Sequence, residues 1–214
     1  MPEIITKPAP AKGAGDPVIV FPEVLWEDLA KVDPVVAATE AKAKYIDGRF
    51  IVDFFCAPHV VDPIAKLVTA PSGRPRANFN KALVLLVYLT QAGLAKTPQP
   101  AGRLVGPFEL PGGTMFFRGP HQLATKPLEA AYSRNKAALK DAALAFGAYE
   151  EPPALFRWQV LPNVDIACYF EEADDEFGAQ AKFAFDAHAH YFLPLDALWA
   201  LINAVTADLL PPRS

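Results

Sequence analysis

The sequence predicts an α+β fold: a mostly antiparallel sheet built from hairpins, helices packed against it, and a long helix closing the chain. Three observations carry this. Period-two apolar segments occur in pairs joined by short turns, as at Asp47-Gly48 and Pro162-Asn163, and short turns join antiparallel strands, whereas parallel strands need a long crossover. Strand-like and helix-like stretches do not alternate strictly, which disfavours a doubly wound parallel sheet. The final stretch PLDALWALINAVTADLL places Leu195, Leu198, Trp199, Ile202, Val205 and Leu209 on one broad helical face.

The elements follow in chain order. Residues 1–17, rich in Pro, Ala, Lys and Gly, have little to bury and predict a disordered tail before a single globular domain over 18–214. In PEVLWEDLAKV, Val24, Leu25, Leu29 and Val32 recur at helical spacing, and Asp33-Pro34 offers an N-cap and an N1 proline for a second helix through about Ala43. After Tyr45, the Asp47-Gly48 dipeptide and RFIVDFF predict a β-hairpin. HVVDPIAKLV continues that sheet, with Pro63 as a break or edge position. The loop APSGRPRAN precedes a helix from Phe79 to Gln91, apolar around most of its surface, with Gly93 placed to end it.

A Pro/Gly-rich connection leads to FELPGGTMFFRGPH, where a Gly-Gly turn separates two apolar pieces and runs into an apparent strand. Pro127 opens a short helix ending near Arg134, and NKAALKDAALAF is a second helix capped by Asn135. RWQVLP, VDIACYFEE and AKFAFD then return the chain to sheet, with ADDEFG as an acidic turn.

The totals restrict function. A chain of 214 residues that is 52% hydrophobic can bury a continuous core. Its net charge of −4 argues against broad attraction to nucleic acid or to an anionic membrane surface. The N-terminus lacks a signal-type apolar run, and the longest apolar stretch, ALVLLVYL at 82–89, is far shorter than the roughly 20 residues of a membrane span. A cytoplasmic protein with no membrane partner is expected. Cys56 and Cys168 lie in separate apolar contexts and read as two buried thiols rather than a disulfide or cluster pair.

Two stretches could carry chemistry. In DAHAHYFLPLD (186–196), His188 and His190 stand two apart, and on an extended strand they would share a face with Asp186, a candidate site for a divalent metal such as zinc. Only His59 and His121 could supply another imidazole. The competing reading is a strand-to-helix junction with histidines bonded to backbone. In LPGGTMFFRGPH (110–121), Gly112 and Gly113 would allow close approach of a ligand to the backbone, with Arg118 and His121 as anion-binding groups. The stretch is no phosphate loop, since it lacks the Lys-Ser/Thr ending. Here the competing reading is a shaped turn that seats Phe116 and Phe117 in the core. EEADDEF lacks the spacing and glycine of a calcium loop, and none of Ser72, Ser133 and Ser214 sits in a nucleophile elbow.

Taken together, YL at 88–89, FELPGGTMFFRGPH at 108–121, PL at 127–128, LP at 161–162, ADDEF at 173–177, FD at 185–186 and LPLDALWAL at 193–201 resemble the domain of unknown function 3786 family of bacterial and archaeal proteins, largely of anaerobes. The resemblance spans roughly residues 25–210. Some members resemble corrinoid methyl-transfer proteins in a four-cysteine iron-sulfur segment, which implies a link to anaerobic one-carbon metabolism. The N-terminal stretch of this chain has no cysteine, so no iron-sulfur cluster carries over. The expectation is an accessory protein that binds a small ligand or a protein partner and needs no cofactor. The alternatives are a metal-dependent hydrolase or lyase using Asp186, His188 and His190, and a structural or oligomerisation module.

Overall fold

A computed structural model describes residues 22–71, 78–94 and 98–211. The expected tail at 1–17 and most of the APSGRPRAN loop lie outside the described residues. The architecture is α+β, with two antiparallel sheets and helices packed against them.

Helix α1 (Glu23–Ala30) buries Trp26 and Leu29. Helix α2 (Pro34–Glu40) starts where Asp33 Oδ1 accepts from the N–H groups of Val35 and Val36, satisfying two donors that the first turn leaves open. It stops three residues before the expected Ala43 because the chain is recruited into β1 (Lys44–Ile46). Strand β1 pairs with β2 (Arg49–Phe54), then β3 (Ala57–Asp62) and β4 (Leu67–Thr69), completing a four-stranded meander. At its first turn Asp47 and Gly48 both take positive φ, 50° and 78°, the backbone of a type I′ hairpin. The next turn does the same with Phe55 and Cys56. This placement corrects the expectation of two buried thiols: Cys56 is exposed because it occupies a hairpin tip, whereas Cys168 is buried and desolvation pushes its thiol up to about 12.

Helix α3 (Phe79–Leu94) is the central packing element. Asn78 caps it by accepting from Lys81 N–H at 3.0 Å. Gly93 does not terminate it. A Cβ there would lie 2.6 Å from Val32 Cβ, so this glycine lets α3 press against the corner between α1 and α2. Tyr88 reaches from α3 to donate to the Ala41 carbonyl at 2.9 Å and to accept from Asn163 Nδ2 at 3.1 Å.

The second sheet has the order β5-β9-β8-β7-β6, all antiparallel. Its strands are β5 (Leu104–Val105), β6 (Tyr149–Glu151), β7 (Ala154–Leu161), β8 (Val164–Glu171) and β9 (Gln180–Asp186). The two outermost, β5 and β6, are too short to show a period-two pattern in sequence. Alternation turns Phe156, Trp158, Ile166, Cys168, Phe183 and Phe185 into the core. The sheets meet where Phe55 N–H donates to the Val160 carbonyl.

Between β5 and β6 lie α4 (Gly113–Phe116), α5 (Lys126–Ala131) and α6 (Lys136–Ala145). The strand expected after the Gly-Gly turn is therefore a helical turn, flanked by 3-10 turns at Pro107–Glu109 and Gly119–His121. Helix α6 carries the expected cap, Asn135 Oδ1 accepting from Ala138 N–H. After β9 come α7 (Ala189–Phe192) and α8 (Leu195–Leu209), which packs on α3. Across that contact Lys81 and Asp208 form a buried ion pair at 2.5 Å. Among the described residues, no helix is long and apolar enough to cross a membrane.

Candidate functional site: an open sheet edge beside β9

Strand β5 pairs with only the last residues of β9, Leu104 opposite Asp186 and Val105 opposite Phe185. Continuing that register would set Pro107 opposite Phe183. Proline has no N–H to give to a ladder, and at Pro107 the chain leaves the sheet for its 3-10 turn. The departure is held by Glu109, whose carboxylate accepts from Gly106 N–H at 2.7 Å. It is held again by Gly113 N–H, which donates to the Leu110 carbonyl at 2.8 Å. Gly113 is required sterically: a Cβ would stand 1.9 Å from the Pro107 carbonyl oxygen. Gly112 supplies the left-handed φ of 78° that turns the chain into α4.

Where β5 departs, a cavity of about 670 Å³ opens. Its apolar walls include Leu104, Val105, Phe108, Phe117 and Leu123. Arg118, Lys126 and Lys182 bring positive charge to it, and Glu109 is its carboxylate. Lys182 stands opposite Tyr169 across β8 and β9, and both line the cavity.

At the far end of the open edge, Glu129 of α5 accepts from Ala181 N–H at 3.2 Å, standing where a partner strand's carbonyl would be. Burial pushes the Glu129 carboxyl up, but hydrogen bonds from Lys126, Ala181 and Thr125 outweigh it and hold the group below the usual carboxylate range.

A second cleft of about 480 Å³ lies on the other side of β5, lined by Arg103, Val105, Glu109, Leu110, His188 and His190. The two histidines do not share a strand face. Strand β9 ends at Asp186, His188 is the N-cap residue of α7, and His190 lies within that helix, so the i, i+2 alternation of a strand does not apply. Asp186 is fully buried, and its carboxylate receives three backbone N–H donors: Ala101 at 2.9 Å, Gly102 at 2.7 Å and His188 at 2.8 Å. His188 Nδ1 lies 2.8 Å from the Gln99 carbonyl. Burial pushes the His190 imidazole below its ordinary value, aided by the charge of His188 and opposed by the Ala187 carbonyl.

The other two imidazoles lie elsewhere. His59 is in β3 with Nδ1 2.9 Å from the Ala57 carbonyl. His121 stacks on Phe116 at 4.5 Å and meets Trp199 edge-on. Among the described residues, no group of three or more His, Cys, Asp or Glu side chains is arranged to hold a metal ion.

Of the LPGGTMFFRGPH residues, Arg118 reaches the large cavity. Gly112 and Gly113 shape its wall through the backbone, and His121 packs outside it. Phe117 is buried and Phe116 is half-buried against the core. Lys126, Lys182 and Tyr169 were not legible as site residues. Lys182 and Tyr169 occupy outward positions of ordinary strands, and only the early end of β5 turns those positions into a cavity wall.

No curated protein and no solved structure matches the chain. The model of one family matches residues 33–207, from the cap of α2 to the last turns of α8, and so includes both clefts. The chain belongs to that family, described as Domain of unknown function (DUF3786).

Proposed function

We propose that the protein binds a small amphipathic anion in the cavity beside β9. The observation that carries this reading is a largely apolar enclosure with three cationic side chains, Arg118, Lys126 and Lys182, against the one carboxylate of Glu109. That carboxylate is already engaged by Gly106 N–H, and Lys126 is paired with Glu129 at 2.7 Å, so Arg118 and Lys182 are the groups left to meet an anion. The volume falls in the range of small-molecule sites, which bind through apolar walls and a few placed polar groups. The apolar part of the ligand lies against Val105, Phe108 and Leu123. Its carboxylate or phosphate lies toward the cations, with the guanidinium offering paired donors.

Isothermal titration calorimetry with undecanoate tests the reading. Saturable binding is expected, weakened about tenfold by the Arg118→Ala/Lys182→Ala double variant, the loss of roughly one charge-assisted hydrogen bond. Binding equally tight to the double variant, or none at millimolar undecanoate, would overturn it.

A further inference from the structure

The cavity offers a third kind of contact beyond apolar walls and cations, and it comes from the main chain of β9. Along an antiparallel strand, alternate residues direct both N–H and C=O to the same neighbour. Ala181 N–H donates outward to Glu129, Phe185 pairs outward with Val105, and Ala187 N–H donates outward to the Arg103 carbonyl. The pairing of β8 with β9 runs without a register shift from Gln180 to Phe185. Phe183 therefore also turns its N–H and C=O to the open edge, while its side chain is buried in the core. Among the described residues nothing pairs with it, because Pro107, its counterpart in register, has left the sheet. The opening is one residue pair wide. Val105 closes it on one side and the Glu129 carboxylate on the other, leaving roughly 13 Å between Ala181 and Phe185 at the usual strand rise. Phe183 lines the cavity.

We infer that the ligand is an N-acyl amino acid, whose amino-acid residue, through its N–H and its carboxylate, completes the interrupted ladder at Phe183. This rests on the reading of the cavity as a site for amphipathic anions. The ligand's amide N–H donates to the Phe183 carbonyl and a carboxylate oxygen of the same residue accepts from Phe183 N–H, as one residue of an added strand would. The acyl chain lies against Val105, Phe108 and Leu123, and the other carboxylate oxygen meets Arg118 and Lys182. A plain fatty carboxylate fills the same space but sets a methylene where the amide N–H would stand, so that its chain covers the Phe183 carbonyl without giving it a donor, which costs affinity.

Three probes of matched length separate the possibilities: N-octanoylglycine, its N-methyl analogue N-octanoylsarcosine, and undecanoate, in which methylenes replace the amide. Calorimetry is expected to give N-octanoylglycine at least about tenfold tighter binding than undecanoate, although it is the less hydrophobic compound. N-octanoylsarcosine is expected to lose most of that gain. In a ¹⁵N-labelled sample the Phe183 amide resonance should shift on adding N-octanoylglycine, and its hydrogen exchange should slow. Undecanoate binding as tightly as N-octanoylglycine, with the dependence on Arg118 and Lys182 intact, would overturn the amide contact and leave the amphipathic-anion reading standing. Failure of all three probes to bind would overturn both.

Discussion

Asp186 and Gly102 are joined by a 2.7 Å hydrogen bond from backbone N–H to carboxylate Oδ2, across a sequence separation of 84. With the bonds from Ala101 and His188, it makes Asp186 the clasp that holds the segment leading into β5 against the end of β9. An acid that resembles a metal ligand in DAHAHYFLPLD thus spends its acceptor capacity on backbone. Asp186→Ala leaves three donors without their acceptor and is expected to cost about 2–5 kcal/mol, with Asp186→Asn costing less because its carbonyl still accepts. Urea denaturation measures both. A fully stable Asp186→Ala variant would show that the clasp is dispensable.

Gly113→Ala is expected to disturb the cavity itself. The added methyl would overlap the Pro107 carbonyl at 1.9 Å, and the contact is with backbone rather than a yielding side chain. The turn that leads β5 away from Phe183 must then move. Undecanoate affinity should fall at least about tenfold, together with a loss of stability of about 1–3 kcal/mol. Unchanged affinity by calorimetry would separate the turn from the cavity.

Tyr88 ties α3 to the end of α2 and to the β7–β8 turn through Ala41 and Asn163. Burial pushes its phenol above the ordinary tyrosine value, so the hydroxyl stays protonated and can donate. Tyr88→Phe leaves the Ala41 carbonyl and the Asn163 amide short of a partner in the interior, and an expected cost of about 1–3 kcal/mol should appear as a lower urea midpoint.

The Lys81–Asp208 pair, with side chains 1% and 4% exposed, predicts a non-additive cycle. Lys81→Met takes the ammonium from a buried carboxylate between α3 and α8 and is expected to cost about 3–5 kcal/mol, whereas Lys81→Met/Asp208→Leu removes both charges of the pair and should cost less than the sum of the two single variants. Additive losses in the double variant would contradict the coupling.

His190 predicts a pH dependence. Its folded value is lowered, first by burial, so the unfolded chain binds the proton more readily. The associated stability is present above the unfolded value of about 6.5 and is lost as the pH falls through the folded value. Arg103 and His188 face the same cleft and oppose a further positive charge, while Glu109 favours it. The lowered carboxyls of Asp62, Glu129 and Asp174 act in a more acidic window. The thermal midpoint should therefore begin to fall below about pH 6.5, and His190→Phe should flatten that limb while leaving the more acidic one.

The sequence by itself determined the α+β class, the Asp47-Gly48 hairpin, the caps at Asp33 and Asn135, and the apolar face of α8. Each is encoded within one turn or one period of the backbone, so neighbouring residues suffice to specify it. Tertiary structure decided the rest. It converted Gly93 from a helix stop into a packing contact, because Val32 arrives from the corner between α1 and α2. It placed Cys56 at a hairpin tip. It also turned the expected strand after Gly112-Gly113 into a helical turn, since Gly113 must fit under the Pro107 carbonyl. Arg118 was visible as a candidate because it sits in a glycine-marked stretch, whereas Lys126, Lys182 and the Phe183 main chain were not. Their role depends on a two-residue strand, β5, that ends just before Pro107, which stands 76 positions before the residue it would have paired with, and no local pattern records a partner that is absent.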